Sequence, residues 1–224
     1  MYVGSCGVEI AHSIKKYLKE RGVFIDVGAG VGYFSAIASD VVGALGQVHC
    51  FEPFPANIEM IKRTIKSNPN SNIILNECAV GDDDATHDYY SGRSGNSVAD
   101  SMMNTHLCSI DETIKVKTQR LDTYLRQNNI NSVSLIKIDV EGYEYRVLKG
   151  LAGFFENAVC RPPIICEIFL PVYWTSSLSL AQLNAYMNGY GYQVCSIFNP
   201  RKRVDISTLR ETADVIFMPT KQGE

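Results

Sequence analysis

Short unbroken apolar runs alternate along this chain with apolar residues at helical spacing. Val23 to Val27 is such a run, residues 28 to 32 are glycine-rich, and Phe34, Ile37, Ala38 and Val41 then recur with the helical period. Gln47 to Phe51 reads as a second strand. Ile58, Ile61 and Ile65 mark one face of a helix that Asn68-Pro69-Asn70 should end, and Asn72 to Val80 reads as a third strand. Strands and helices alternating at this spacing predict βαβ crossovers, hence an α/β fold with a mostly parallel sheet and helices on both faces.

Residues 81 to 104 break the rhythm with Asp82, Asp83 and Asp84, then Gly-Arg-Ser-Gly-Asn and two methionines, which predicts a loop or hairpin excursion. Regularity returns with an alternating stretch from Ile114 to Gln119, a short helix from Leu121 to Gln127 and a buried strand from Ser134 to Val140. A helix carrying Val147, Leu148 and Leu151 follows, then a strand from Ile164 to Phe169. Leu180, Leu183 and Met187 line another helix. Tyr192 to Phe198 and Asp214 to Met218 read as strands of a terminal hairpin. With no repeat or linker in view, residues 1–224 are expected to form one domain: a helical cap over 1–22, a core over 23–170, and a helix and hairpin over 171–224.

The composition keeps this picture and removes others. The chain has 224 residues, 46% of them hydrophobic and 20% charged, within the globular norm. A net charge of -3 leaves no electrostatic footprint for nucleic acid, so no nucleic-acid partner is expected. The seven cysteines are odd in number and lack any Cys-x-x-Cys pair, which suggests neither a disulfide framework nor a zinc cage. Without a signal pattern or a membrane-length apolar run, the expected setting is cytoplasmic. Oligomeric state is not legible.

The candidate chemistry begins at Asp26-Val27-Gly28-Ala29-Gly30-Val31-Gly32. Glycines in a strand-to-helix turn permit positive φ and close approach of a ligand to backbone, and the following helix is expected to present unbonded N–H groups. Residue 33 is Tyr where a dinucleotide fingerprint has its third glycine, which argues against NAD. Glu52 ends the second strand 20 residues after Gly32, where a carboxylate can accept both hydroxyls of a ribose. Together they point to an adenosine-containing cofactor.

The chain resembles the S-adenosylmethionine-dependent methyltransferases, and more narrowly the FkbM family. The resemblance rests on Phe24 to Tyr33, Phe51-Glu52-Pro53-Phe54-Pro55-Ala56-Asn57, Ala79-Val80-Gly81-Asp82, Leu121-Asp122 and Ile136-Lys137-Ile138-Asp139-Val140-Glu141-Gly142-Tyr143-Glu144. It implies a Rossmann-like, class I methyltransferase fold with seven strands, the last antiparallel. It also implies that S-adenosyl-L-methionine lies across the carboxyl ends of the strands. On this mapping Asp26 and the loop of Gly28, Ala29, Gly30 and Gly32 serve its methionine end. Glu52 takes the ribose, Phe54 covers adenine, Ala79 and Val80 offer backbone near the adenine edge, and Tyr33 and Pro53 belong to the same cofactor-binding set.

Asp139 ends an apolar strand at the ligand edge, and a charge there needs a partner, which the cationic cofactor supplies. Methyl transfer to an alcohol is an in-line displacement in which a base removes the hydroxyl proton. Glu141 is the favoured base, with Glu167 and His106 as the other candidates; a helix N-cap is the competing role for Glu141 or a neighbour. Asp82 to Asp84 read as a solvated acidic turn. No residue is assigned as a metal ligand, although Asp139 with Glu141 leaves a divalent metal open. Tyr89, Tyr90, Tyr173 and Trp174 are loop aromatics suited to stacking on an acceptor. The expected activity is O-methylation of a small-molecule or glycan hydroxyl. The alternative is an inactive adenosyl-cofactor-binding module.

Overall fold

The protein is described from a computed structural model over residues 5–68, 71–91, 93–94, 97–98, 102–103 and 112–220. The chain opens with α1 (Ser5–Tyr17), β1 (Val23–Val27), α2 (Tyr33–Val42), β2 (Gln47–Phe51), α3 (Pro55–Ser67) and β3 (Ile73–Asn76). The excursion holds β4 (Ala79–Gly81), β5 (Thr86–Ser91), β6 (Arg93–Ser94), β7 (Ser97–Val98) and β8 (Glu112–Arg120). Then come α4 (Leu121–Gln127), β9 (Leu135–Ile138), α5 (Glu144–Lys149), α6 (Ala152–Asn157), β10 (Ile164–Ile168) and α7 (Leu170–Thr175). The chain continues with α8 (Leu180–Gly189), β11 (Tyr192–Ser196), a 3-10 turn (Ile206–Thr208) and β12 (Ala213–Pro219).

Seven strands form one sheet in the order β11-β12-β10-β9-β1-β2-β3. β12 runs antiparallel to both of its neighbours, and the other pairings are parallel. Successive strand residues face opposite sides, and that alternation builds two cores. Ile25, Val27, Ile136, Ile138, Ile164 and Cys166 point to a face covered by α4, α5 and α8, with Leu125, Leu148 and Leu183 buried there. Phe24, Val48, Leu135, Ile165 and Ile216 point to the other, where Ile10, Ile14 and Leu18 join Ala38 and Val42 of α2. The opening helix is thus a layer of the fold. Among the described residues no helix is long and apolar enough to cross a membrane.

Three expectations need correction. The third strand does not run to Val80: it ends at Asn76, whose side chain donates to the Cys50 carbonyl at 3.2 Å, and the chain then leaves the sheet. Residues 79–81 pair instead with β8 in a separate three-stranded sheet, β4-β8-β5. The helix over Val147 to Leu151 is two helices, with Gly150 and Leu151 between them. Asp122 organises that break by accepting from the Gly153 N–H at 3.0 Å and pairing with Arg120 at 2.6 Å. The aspartates after β4 are not a merely solvated turn. Asp82 bridges Arg146 at 3.1 Å and Lys149 at 2.9 Å, Asp83 meets His87 at 2.8 Å, and Asp84 accepts from the Arg120 N–H at 2.8 Å. Asp82 ties the small sheet to α5, and Asp83 and Asp84 brace that sheet from within.

Candidate active site

In a doubly wound sheet the crevice opens where strand order reverses, here between β1 and β9. A cleft lies there, enclosing about 770 Å³ of empty space, part of it open to solvent. Its floor is Val27, Gly28 and Gly30; Phe51, Glu52, Pro53 and Asn57 wall one side; Asp139, Val140, Glu141 and Tyr143 wall the other; Ala79, Val80, Tyr89 and Met102 roof it. The departure of β4 from the main sheet is what brings Ala79 and Val80 over the opening.

The glycine turn is held by its own amides. Gly28 and Ala29 both donate to the Phe51 carbonyl at 3.1 Å, Gly32 donates to Ala29 at 2.9 Å, and Gly30 donates to Glu52 Oε2 at 2.7 Å. These four N–H groups are therefore committed within the protein, and at these positions the turn offers shape more than donors. Glu52 is 3% exposed, and its Oε1 accepts from Phe54 N–H at 2.9 Å. Burial pushes its carboxyl up to about 7, against the pull of those two amides and of Asn57. A carboxylate has about four acceptor sites, and the two amides and Asn57 take three of them, which leaves capacity for a ligand hydroxyl.

The opposite wall is a strained turn. Glu141 has φ 53° and Gly142 φ 108°, and a left-handed conformation is uncommon for a glutamate. Glu144 holds the turn: fully buried, it accepts from Gly142 N–H at 2.8 Å and Val140 N–H at 3.4 Å. Burial pushes Glu144 up to about 7. Because α5 begins at Glu144 with Tyr143 at its N-cap, Glu141 does not cap the helix. It lines the cleft. Carboxylate oxygens of Asp139, Glu141 and Glu167 lie within 4.8 Å of one another, the kind of oxygen set a hard cation takes. Burial, then the charges of Asp139 and Glu141, push Glu167 well above the ordinary carboxylate range.

Gly28, Gly30, Glu52, Pro53, Ala79, Val80, Asp139 and Glu141 thus line the cleft, while Ala29, Gly32 and Tyr33 shape the turn behind it. Asp26 is fully buried below the floor, accepting from Ser35 Oγ at 2.7 Å. Phe54 stacks on Tyr89 at 6.2 Å and 24°, so Tyr89 rather than Phe54 presents a ring to the opening. Trp174 is 68% exposed on α7, and His106 lies outside the described residues. The sequence reading gave no role to Asn57, Tyr143, Glu144 or Lys137. All but Asn57 belong to the Ile136 to Glu144 string and Asn57 ends the Phe51 to Asn57 string, so the signal was present without an address.

A sheet of this order, with its antiparallel strand next to the edge and a cleft at the β1 and β9 ends, is the class I methyltransferase fold. The sequence profile of the methyltransferase FkbM domain matches residues 26–194, and the chain belongs to the FkbM methyltransferase family. It is 27% identical over 210 residues to the 31-O-demethyl-FK506 methyltransferase FkbM of Streptomyces tacrolimicus, covering 82% of this chain and 77% of that protein. It is 25% identical over 139 residues to the hexuronic acid methyltransferase AglP of Haloferax volcanii, covering 62% and 54%. The crystal structure of an FkbM methyltransferase from Methylobacillus flagellatus KT superposes with a TM-score of 0.56 at 17% identity, covering 90% of this chain and 44% of that one. The chain spans about half the length of several relatives it matches.

Proposed function

We propose that the chain, as a single domain, is an S-adenosyl-L-methionine-dependent methyltransferase acting on a hydroxyl of a sugar or other small molecule. The observation that carries this is the pairing of walls across one cleft: buried Glu52 on one side, and Glu141 in a left-handed turn on the other. The residues fit the cofactor. Glu52 has the capacity to accept from a ribose hydroxyl, Ala79, Val80 and Phe51 form an apolar slot for a planar base, and Asp139 supplies negative charge for an ammonium. The space in front of Gly30 is open, with no atom within 4 Å of where a Cβ would stand.

When bound, the cofactor supplies a methyl group already activated by its sulfonium. Glu141 takes up the acceptor's hydroxyl proton in this reading, and Glu167 keeps a proton and lends a neutral carboxyl beside it. An oxygen acceptor is supported by the relatives, one a 31-O-demethyl-FK506 methyltransferase and one a hexuronic acid methyltransferase.

Calorimetric titration with S-adenosylmethionine, S-adenosylhomocysteine and NAD tests the cofactor, and methyl transfer to a panel of hydroxylated acceptors tests the reaction. Selective adenosyl binding with transfer is expected. Adenosyl binding without transfer to any acceptor would favour an inactive binding module. Glu141→Gln should lower turnover by about 100-fold or more while cofactor affinity changes little. Turnover at the wild-type rate in that variant would remove Glu141 as the base.

A further inference from the structure

Lys137 is a lysine with 2% of its side chain exposed, on the central strand β9 and directly across from Asp26 of β1. Its ammonium donates to the Gly28 carbonyl at 3.1 Å, faces Asp139 Oδ2 at 3.3 Å and faces Asp26 Oδ1 at 3.4 Å. The ring of Phe34 closes another side at 5.4 Å. An ammonium has donors and no acceptor; one donor goes to the Gly28 carbonyl, and the charge is paired with the two carboxylates, of which the buried Asp26 Oδ1 has no hydrogen-bond partner among the described residues. Gly28 and Asp139 also touch backbone to backbone: a Cβ on Gly28 would stand 1.8 Å from the Asp139 carbonyl oxygen. Lys137 stitches the two together from beneath.

Burying an ammonium is costly, and an apolar residue would fill a central strand without that cost. Shape therefore does not account for the charge. We infer that Lys137 is a positioning residue that locks the glycine turn to Asp139 and whose fixed charge limits how strongly the cleft prefers the cationic cofactor over its neutral product. The inference rests on the cleft taking S-adenosylmethionine. That molecule carries one more positive charge than S-adenosylhomocysteine, and the charge disappears during transfer. Asp26 beneath the floor and Asp139 in the wall, without a counter-cation, would stabilise the cation before reaction and so raise the barrier. Lys137 offsets one of them.

The test is a pair of titrations, with S-adenosylmethionine and with S-adenosylhomocysteine, at about pH 8.5, well above the ordinary carboxylate range. In Lys137→Met the ratio of affinities should move toward S-adenosylmethionine by about threefold or more, and Lys137→Arg should keep the wild-type ratio. Asp139→Asn should move the ratio the other way, which keeps the test alive where the Met variant does not fold. Equal weakening of both ligands in Lys137→Met, or an unmoved ratio in Asp139→Asn, overturns the inference, because a merely structural role affects both ligands alike. Wild-type protein that binds neither ligand overturns the methyltransferase reading itself.

Discussion

Glu52 joins two demands in one side chain. Its oxygens accept from Gly30 and Phe54 N–H groups and so fix the glycine turn against the end of β2, while burial raises its carboxyl to about 7. A ribose hydroxyl donates to the charged form, so cofactor binding draws the proton off. Affinity for S-adenosylmethionine should therefore tighten by about tenfold between pH 6 and pH 8, following the ionised fraction across about 7. Glu52→Gln should flatten that profile and weaken binding by about 10- to 150-fold, the range for losing charge-assisted hydrogen bonds of about 1.5–3 kcal/mol. Calorimetry at both pH values checks it, and a pH profile that survives in Glu52→Gln would assign the titration elsewhere. The position of Glu52 was legible because a carboxylate at the end of a strand beside a glycine turn has few places to point. Its amide partners were not, since they depend on how β1 and β2 pair.

At the scale of elements, the glycine turn separates two kinds of glycine. Gly28 has φ 73° and its missing Cβ would collide with Asp139 backbone, whereas Gly30 has φ 56° and open space around it. Gly28→Ala should displace the turn or the Asp139 segment and lower stability by several kcal/mol, as overpacking against backbone does. Gly30→Ala should cost only about 1 kcal/mol of left-handed strain, yet place a methyl in the cleft and weaken cofactor binding. Thermal melting and titration of the two variants distinguish them; equal melting points would show that the turn yields at both. The alternating pattern gave β1, β2 and α4 their ends, because each is bounded by residues that local chemistry governs, such as Gly28 and Glu52. It overran β3, because the end of an edge strand is set by Asn76 reaching the Cys50 carbonyl, a contact between strands. It passed over α7, where Pro171 in the first turn was the available helix signal. Lys137 and Glu144 were hidden for a related reason: a charge inside an apolar run is given its meaning only by the partners the fold brings to it.

Over the whole molecule, the acids around the cleft set how stability depends on pH. Glu52 and Glu144 are raised to about 7, and Glu167 well above the carboxylate range, each chiefly by burial. A group whose pKa is higher folded than unfolded binds more protons in the native state, so its contribution is present below the unfolded pKa and is lost as pH rises through the folded one. His49 works in the opposite sense, lowered to about 4 by burial, but its influence ends near its ordinary value of about 6.5. Above that value the carboxyls lead, joined toward pH 8.5 by the thiols of Cys50, Cys78 and Cys166, which burial also raises and which act in the same direction, and cofactor-free protein should lose several degrees of melting temperature between about pH 6.5 and 8.5. Glu167→Gln keeps the shape of the protonated acid and removes the charge that Asp139 and Glu141 oppose. It should melt above wild type at pH 8.5 and close to it at pH 5.5, while losing whatever turnover depends on that carboxyl. A variant that melts below wild type at pH 8.5 would mean that the Glu167 carboxylate is held by a favourable partner. The acidic end of the cleft would then be a source of stability, and the case for a strained, proton-holding site would fall.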